Sequence, residues 1–343
     1  MKKYVCLFLI LAAATTVAFG QKSFEVQDFS KDYYGKVYIE KPSEVFSAGW
    51  VAVYDKKTKR QLIKINSDAL TFDEMNGKVK ANVLELPYGE QSTIIYDDFN
   101  FDGIKDFALM DGQNSCYGGP SFQIYLAGRA KGSFALSKSF TRLAQDYCGM
   151  FETNAKEKKL LTSSKSGCCW HQFSEFIVVG NMPKAVKIVE EKWDFPFNSL
   201  STETWNGKKM VKSVLRTPAF EDGDVKILLS FKTVKNGGEV VLYSYKDELS
   251  YMFVNKSGNV EFAYPFDAGQ ENARFTLDSK ENPTQLSFTN KNAIYRIYET
   301  GSEKIGVEVS ENGKQSEISG DLNTRKGSLR DLTGENLTNV TFK

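Results

Sequence analysis

The sequence predicts an all-β protein with two antiparallel β-sheet domains, each of sandwich or curled-barrel type, after a cleaved signal peptide. Three observations lead to this prediction. Short segments of alternating apolar and polar residues recur along the chain, and this is the period of a half-buried strand. Turn pairs such as Asn206-Gly207 separate the segments, and helical periodicity is scarce. At 343 residues, the chain is long enough to form two hydrophobic cores.

Residues 1–20 have the composition of an export signal. Lys2 and Lys3 precede an apolar run, and small residues around Ala18 suit cleavage before Gln21. The run is too short for a comfortable transmembrane span, and no later stretch of the sequence is long and apolar enough to be one. We therefore expect an exported protein, periplasmic or extracellular, that is soluble after cleavage. The short Met-Lys-Lys start favours a bacterial signal over a eukaryotic one.

The charge composition argues against several classes of partner. Lys and Arg total 44, and Asp and Glu total 43. The sequence has no basic stripe with interleaved aromatics, so we expect no nucleic-acid partner. It has no run of like charge that would favour a membrane surface. No glycine-rich loop precedes a helix, so we expect no nucleotide site.

The first domain is predicted to span residues 21–216. A hairpin joins Gly49–Tyr54 to Gln61–Ile65 across a polar turn, and a second is predicted at Asn206-Gly207. Between them, period-two patterns fall at Ser121–Leu126, Phe173–Val179 and Ala185–Val189. Short helices are considered only at Ser67–Met75 and Ser139–Tyr147.

The second domain is predicted to span residues 222–343, because Thr217-Pro218 interrupts the strand pattern and an acidic turn follows. It contains no cysteine, and it repeats the meander pattern as far as residue 310. Aromatic residues recur at period two, and they are expected to line a buried sheet face. A platform for carbohydrate is the alternative. These residues include Tyr243, Tyr245, Tyr251, Phe253, Phe262 and Tyr264.

The segment Asp98–Asp106 carries the most specific site motif. The oxygen-bearing side chains at loop positions 1, 3, 5 and 9 are Asp98, Asn100, Asp102 and Asp106. With Gly103 at position 6, this is the ligand order of an EF-hand-type calcium loop. The backbone carbonyl of Ile104 is expected to add a further oxygen. The flanking segments have strand patterns, so we expect the ion to be held between two strands.

Calcium suits this donor set because every donor is an oxygen and calcium takes about six to eight of them. Magnesium prefers few carboxylates and several waters, which makes it the less favoured ion. An Asx-rich turn that binds no metal is the alternative. The expected role of the ion is structural, because no positioned base or substrate groove can be recognised beside the loop.

Four cysteines remain after signal cleavage, and they are Cys116, Cys148, Cys168 and Cys169. An even number in an exported protein predicts two disulfides, for which three connectivities are possible. A bond between the adjacent Cys168 and Cys169 needs a strained eight-membered ring. We therefore expect each of them to pair with Cys116 or Cys148. No Cys-x-x-Cys spacing is present, which argues against a redox-active pair or a zinc site.

Two loops that contain glycine, cysteine and an aromatic residue are candidate partner-binding sites. The first lies just past the calcium loop and includes Ser115 and Tyr117. A disulfide between the loops would form a rigid edge, from which aromatic side chains bind with little loss of entropy. Inward packing of the aromatic residues is the alternative. The candidate residues of the second loop are Ser166, Gly167, Trp170 and His171.

No catalytic constellation is recognisable, so we expect the protein not to be an enzyme. His171 is the only histidine, and the cysteines are expected to be oxidised. No Gly-x-Ser-x-Gly elbow is present. A pair of surface carboxylates acting as in glycosidases is an alternative, because a sequence does not give the distance between two acids.

Residues 45–215 resemble a family of exported bacterial proteins. The resemblance rests on the loop Asp98–Asp106, the run Tyr117–Pro120 and the strand Phe122–Leu126. The family includes calcium-binding periplasmic immunity proteins of antibacterial type IV secretion systems, and its fold is related to bacterial lysozyme inhibitors. The resemblance implies a structural calcium and a loop that inserts into the cleft of a peptidoglycan-cleaving enzyme. The metal ligands that it carries over are Asp98, Asn100, Asp102 and Asp106.

The sequence supports two functional hypotheses. The first is an exported, calcium-binding, non-enzymatic protein that inhibits a lysozyme-like peptidoglycan hydrolase through its protruding loops. Lysozyme inhibitors of this type have a Ser-Gly-x-x-Tyr loop, which Ser166–Trp170 matches with tryptophan in the tyrosine place. The second is a cell-envelope or extracellular module that binds glycan or protein and in which calcium is purely structural.

Overall fold

The structure is a computed structural model that describes residues 22–26, 28–72, 74–75, 78–86, 89–221, 223–266, 273–280 and 282–343. The predicted signal peptide, residues 1–20, lies outside the described residues, as does Asp222 at the predicted domain boundary. Strands make up 56% of the structure and helices 6%. The strands form several antiparallel sheets, so the prediction of an all-β fold is confirmed.

The chain divides into two compact units. The first runs as far as Thr162 and includes Ile177–Lys184, and the second contains Ser163–Phe176 and Ala185–Lys343. The division predicted from the sequence, at residues 216–222, lies inside the second unit and stays a prediction.

A six-stranded sheet opens the first unit, with the order β4-β3-β2-β1-β6-β5. Its strands are β1 (Lys22–Val26), β2 (Tyr33–Ile39), β3 (Ser47–Asp55), β4 (Gln61–Leu70), β5 (Glu74–Met75) and β6 (Lys78–Val79). The predicted hairpin is confirmed, because β3 pairs antiparallel with β4. The helix considered from Ser67 is wrong. Burial alternates through Ile63, Ile65 and Ser67, so the strand period continues to Leu70.

The second sheet of the first unit has the order β10-β9-β8-β7. Its strands are β7 (Ile94–Asp97), β8 (Asp106–Gly112), β9 (Ser121–Ala127) and β10 (Phe134–Leu136). It packs on the first sheet through aromatic side chains, since the Tyr33 ring lies 5.7 Å from that of Phe107 and 5.5 Å from that of Phe134. The helix considered at Ser139–Tyr147 is present as α1 (Lys138–Leu143). The segment 98–105, which we call the Asp98 loop, joins β7 to β8, as predicted.

Six further strands follow: β11 (Glu152–Asn154), β12 (Lys159–Ser166), β13 (Trp170–Val179), β14 (Met182–Lys192), β15 (Phe197–Trp205) and β16 (Met210–Pro218). The strands β12, β13 and β14 each have residues in both units. In the first unit β11 pairs with β12, and in the second β15 pairs with β14 and β16. The hairpin predicted at Asn206-Gly207 is confirmed, and Gly207 takes the positive φ of 94° that the turn requires.

The rest of the second unit is a sandwich of two sheets. The strands of one sheet are β17 (Val225–Lys232), β18 (Glu239–Tyr245), β19 (Glu248–Val254), β20 (Val260–Tyr264) and β26 (Lys326–Gly327). The other sheet consists of β21 (Phe275–Asp278), β22 (Thr284–Asn290), β23 (Ala293–Thr300), β24 (Lys304–Glu311), β25 (Lys314–Ser319) and β27 (Val340–Phe342).

Apolar side chains of both sheets share the core of this sandwich. The Tyr264 and Phe288 rings stack across it at 4.4 Å, and Tyr251 lies 5.3 Å from Phe288. Tyr243, Tyr251 and Tyr264 are buried. Tyr251 and Tyr264 lie in this core with Phe253 and Phe262 packed against it, whereas Tyr243 lies in a separate buried cluster. The prediction of one buried face therefore holds for four of the period-two aromatic residues, and the buried tyrosines cannot form a carbohydrate platform.

A close backbone approach in β3 generates the first prediction. A Cβ on Gly49 would lie 2.0 Å from the carbonyl oxygen of Tyr38, and the backbone of β2 cannot yield as a flexible side chain would. We expect Gly49→Ala to lower the free energy of unfolding by about 1–3 kcal/mol. Gly334→Ala is the control, because no atom lies within 4 Å of its added Cβ. Equal midpoints for both variants in urea denaturation would contradict this packing.

Candidate functional site

The loop between β7 and β8 is curled around its own carboxylates. Asp98 accepts hydrogen bonds at both side-chain oxygens, from the N–H of Asp102 at 3.1 Å and of Gly103 at 2.9 Å. Asp102 in turn accepts the N–H of Ile104 at 2.8 Å. Gly103 takes a φ of 90°, which explains the glycine at position 6 of the motif. The local sequence thus sets the chain reversal that the motif predicts.

Two further contacts hold this loop in the first unit. Phe99 is buried, and its ring packs edge-on against Phe151 at 5.4 Å. The Asn100 amide donates to Asp102 Oδ2 at 3.0 Å and to Asn181 Oδ1 at 3.2 Å. The loop is therefore anchored by an apolar side chain on one side and by an amide on the other.

Asp106 is a fully buried carboxylate at the first position of β8. Its Oδ2 accepts the N–H of Phe99 at 2.9 Å, and its Oδ1 accepts the N–H of Ala127 at 2.8 Å. Burial raises the pKa of Asp106 to about 7, and the charges of Asp102 and Asp98 also raise it, while the two N–H donors lower it. One side chain thus ties the loop to the end of β9 at a considerable electrostatic cost.

The donor set fits calcium in its chemistry. All the predicted donors are oxygens, which are the ligands of this hard cation, and they come from one short loop. Within the described part of the chain, no three His, Cys, Asp or Glu side chains form a group that could hold a metal, so Asp98, Asp102 and Asp106 are not arranged as such a group in this structure. The predicted set relies on three carboxylates together with the Asn100 amide and the Ile104 carbonyl. Calcium binding stays a prediction.

The Cys116 turn, which we define as Ser115–Pro120, follows β8 and is braced in two ways. A disulfide joins Cys116 to Cys148, with their Cα atoms 4.8 Å apart. Inside the turn, the N–H of Ser115 donates to the Gly119 carbonyl at 3.1 Å, and the N–H of Gly119 donates to the Cys116 carbonyl at 3.0 Å. The turn is a closed, cross-linked unit.

Tyr117 stands out in this turn by its backbone and its exposure. It has φ 55° and ψ 28°, in the left-handed region that bulky residues rarely adopt. Its side chain is 66% exposed, so the inward packing considered as an alternative does not occur. Backbone strain of this kind costs about 1–3 kcal/mol and is concentrated at binding and active sites.

A cleft of about 130 Å³ lies beside the turn in the first unit. Ser115 lines it, and Ser115 Oγ is a buried side-chain oxygen for which no hydrogen-bond partner is present among the described residues. Such an atom costs about 1–3 kcal/mol if it stays unsatisfied. The other lining residues are Gly89, Gln91, Cys116, Tyr117, Gly119, Pro120, Cys148 and Gly149.

The second loop corrects the predicted disulfide connectivity. Cys168 and Cys169 are bonded to each other in the turn between β12 and β13, so neither pairs with Cys116 or Cys148. The expectation relied on the strain of the eight-membered ring. It failed because the fold places Cys148 beside Cys116. Close to Cys148, Gln91 Oε1 accepts a hydrogen bond from the N–H of Met150 at 3.1 Å. No disulfide joins the two candidate loops, and the cross-linked edge predicted between them is wrong.

The candidate residues of the second loop belong to the second unit. Ser166 and Gly167 are exposed, whereas Trp170 and His171 are half-buried. The His171 ring contacts the ring of Trp193 at 5.5 Å. Trp193 was missed by sequence reasoning, although its side chain is 54% exposed. The available signal was a tryptophan set between the charged residues Lys192 and Asp194.

Comparison with known proteins gives similarity in structure only. No protein-family model matches the chain, and no curated protein matches it. The structure is similar to that of a Xanthomonas type IV secretion system related protein, with 21% identity and a TM-score of 0.45, over 55% of this chain and 92% of that one.

Two other similar structures are more distant. Prolyl oligopeptidase B from Galerina marginata has 9% identity and a TM-score of 0.24, over 90% of this chain and 43% of that one. A prolyl endopeptidase structure has 8% identity and a TM-score of 0.21, over 90% of this chain and 50% of that one. None of these similarities is close enough to transfer a function.

Within the described ranges, no helix has the length and hydropathy needed to cross a membrane.

The disulfides generate the second prediction. The Cys116–Cys148 bond spans 32 positions, so the double variant Cys116→Ser/Cys148→Ser should lower the free energy of unfolding by about 3–4 kcal/mol. Cys168→Ser/Cys169→Ser is the matched control. Its bond spans one position and closes almost no chain, so its loss should be much smaller. Chemical denaturation of the oxidised proteins measures both, and equal losses would contradict the bracing role of Cys116–Cys148.

Proposed function

We propose that the protein is an exported, non-enzymatic binding protein that docks its Cys116 turn on a protein partner. The proposed partner is a lysozyme-like peptidoglycan hydrolase, which the protein would inhibit. Calcium in the Asp98 loop would hold β7 and β8 in place below the turn. The observation that carries the proposal is the strained, exposed Tyr117 on a cross-linked turn.

Tyr117 has the properties of a binding anchor. A tyrosine in the left-handed region costs free energy, and an exposed side chain does not recover that cost by burial in its own core. Binding of a partner would recover it, because aromatic residues held on a rigid support lose little entropy on docking. The adjacent Ser115 Oγ could gain its missing hydrogen bond in the same event.

The proposed calcium is supported by the electrostatics of the loop. Asp106 is buried, and Asp98 and Asp102 lie close enough to raise its pKa. A divalent cation among these carboxylates would offset both the loss of water and the mutual repulsion. The resident ion would then be structural, with its ligands at Asp98, Asn100, Asp102, Asp106 and the Ile104 carbonyl.

A non-enzymatic role is supported by the groups that catalysis would need. All four cysteines of the described chain are in disulfides, so none is a free nucleophile. The single histidine packs against the Trp193 ring. Neither type of residue stands in the Cys116 turn as a nucleophile paired with a base.

Calcium binding generates the third prediction. Calcium at a hundred times its dissociation constant should add about 2.7 kcal/mol to the free energy of unfolding. This corresponds to a rise of roughly 5–10 °C in the melting temperature of a domain of this size. Asp102→Ala should abolish the rise, because it removes a carboxylate donor. Calorimetric titration and thermal melts with and without calcium measure both effects.

Asp97→Asn is the matched control for this experiment. Asp97 lies next to the loop and pairs with Lys105 at 3.7 Å, but it is not one of the predicted donors. It should keep the full response to calcium. Loss of the response in both variants, or its persistence in Asp102→Ala, would contradict calcium binding by the predicted donors.

Partner binding generates the fourth prediction. Tyr117→Asn should leave the free energy of unfolding unchanged or raise it by up to about 1 kcal/mol, because asparagine enters the left-handed region more easily than tyrosine. The same change should weaken inhibition of a susceptible peptidoglycan hydrolase by at least about tenfold, which is about 1.4 kcal/mol of binding free energy. Peptidoglycan turbidity assays with a panel of lysozyme-type enzymes, in excess calcium, measure the inhibition.

Leu136→Asn is the control, because it changes another exposed apolar side chain of the first unit. It should leave inhibition unchanged. If the wild-type protein inhibits no enzyme of the panel, the proposed partner is wrong. If Tyr117→Asn inhibits as well as the wild type does, Tyr117 is not the anchor.

A further inference from the structure

A second cleft, of about 400 Å³, lies in the second unit. Its volume falls within the range of about 300–1,000 Å³ that is usual for small-molecule sites. It forms after the end of β14, where β15 begins and β16 ends, and the N–H of Ala219 donates to the Pro196 carbonyl at 3.1 Å. Its lining residues are Trp193, Asp194, Phe195, Asn198, Ala219 and Glu221.

Trp193 forms an exposed wall of this cleft, and its position is fixed. Its side chain is 54% exposed. The backbone N–H of Trp193 donates to the carbonyl of Cys169 at 2.8 Å, and the indole ring packs against the ring of His171, with 5.5 Å between their centres. The Cys168–Cys169 bond restrains the turn that supplies this carbonyl. The indole is therefore preorganised, so little entropy is lost when a ligand stacks on it.

The polar side chains of the cleft end in planar groups and line it together with the Trp193 indole. Asp194 and Glu221 present carboxylates, and Asn198 presents an amide that can both donate and accept. Groups of this kind bond hydroxyls, while an indole face meets apolar C–H groups. A sugar ring offers both, with C–H bonds on its faces and hydroxyls around its rim.

The charges in and around the cleft decide between ligand classes. An anionic ligand would be repelled by Asp194 and Glu221. An organic cation, which could stack on an indole, would have to compete for Asp194 with the ammonium of Lys192, which lies 2.7 Å from that carboxylate and neutralises it. We propose that this cleft binds a neutral saccharide, with one ring stacked on Trp193 and its hydroxyls bonded to Asp194, Asn198 and Glu221.

This site depends neither on calcium nor on docking of the Cys116 turn, so its test is separate from those experiments. The probes are soluble neutral oligosaccharides: gluco-, manno-, galacto- and chito-oligomers. Spermidine serves as the cationic probe and glucuronic acid oligomers as the anionic one. Binding to the full mature chain is followed by ligand-observed NMR and by the NMR signal of the Trp193 indole N–H.

We expect at least one neutral oligomer to bind and to shift the Trp193 signal. Trp193→Ala should weaken this binding by about tenfold or more, whereas Trp193→Phe should lose less because it keeps an aromatic face. Asn198→Ala should weaken it as well, without removing the stack. Trp205→Ala, at the other end of β15, is the control and should bind as the wild type does. Thermal melts of each variant confirm that it is folded.

The proposal is overturned if no neutral oligomer of the panel binds. It is also overturned if only spermidine or the anionic oligomers bind, or if a folded Trp193→Ala variant binds the neutral oligomer with unchanged affinity.

Discussion

The buried carboxylate of Asp106 is the group on which the first unit's site depends. It stands where the Asp98 loop enters β8, and its two oxygens accept N–H groups from Phe99 and Ala127. Loop, strand and neighbouring strand are therefore joined at one side chain. The cost is a negative charge removed from water near Asp98 and Asp102, which raises its pKa. A calcium ion in the loop would offset this cost, and this is why the ion and the fold of the loop belong together in our account.

The same strand links the loop to the surface that we propose for partner binding. β8 begins at Asp106 and ends at Gly112, and the Cys116 turn follows it. The turn adds its own constraint, the bond from Cys116 to Cys148, and it holds Tyr117 in a conformation that tyrosine seldom takes. β8 is therefore held at both ends, by Asp106 at its start and by the disulfide-linked turn after it, and this support keeps the Tyr117 side chain in a defined position. In the second unit, the Cys168–Cys169 turn supports Trp193 in a comparable manner.

The sequence predicted those features that depend on local patterns. Period-two alternation of apolar residues predicted the strands, Asn206-Gly207 predicted a hairpin, and the strand patterns on both sides of the Asp98 motif placed that loop between two strands. Features that depend on chain packing were missed. The disulfide connectivity was wrong because ring strain at Cys168–Cys169 was weighed without the proximity of Cys116 and Cys148. The positive φ of Tyr117 is set by the surrounding fold, and no local pattern predicts it. The exposure of Trp193 had only a weak local signal, its position between Lys192 and Asp194.

The central claim is that a calcium ion completes the Asp98 loop above the buried Asp106. Crystals of the mature protein grown with calcium, measured at long wavelength, test it most directly through an anomalous difference map. The account predicts one strong peak between β7 and β8, with oxygens of Asp98, Asn100, Asp102, Asp106 and Ile104 at about 2.3–2.6 Å. A well-ordered loop with no peak at this position, and with Asp106 still buried, would contradict it.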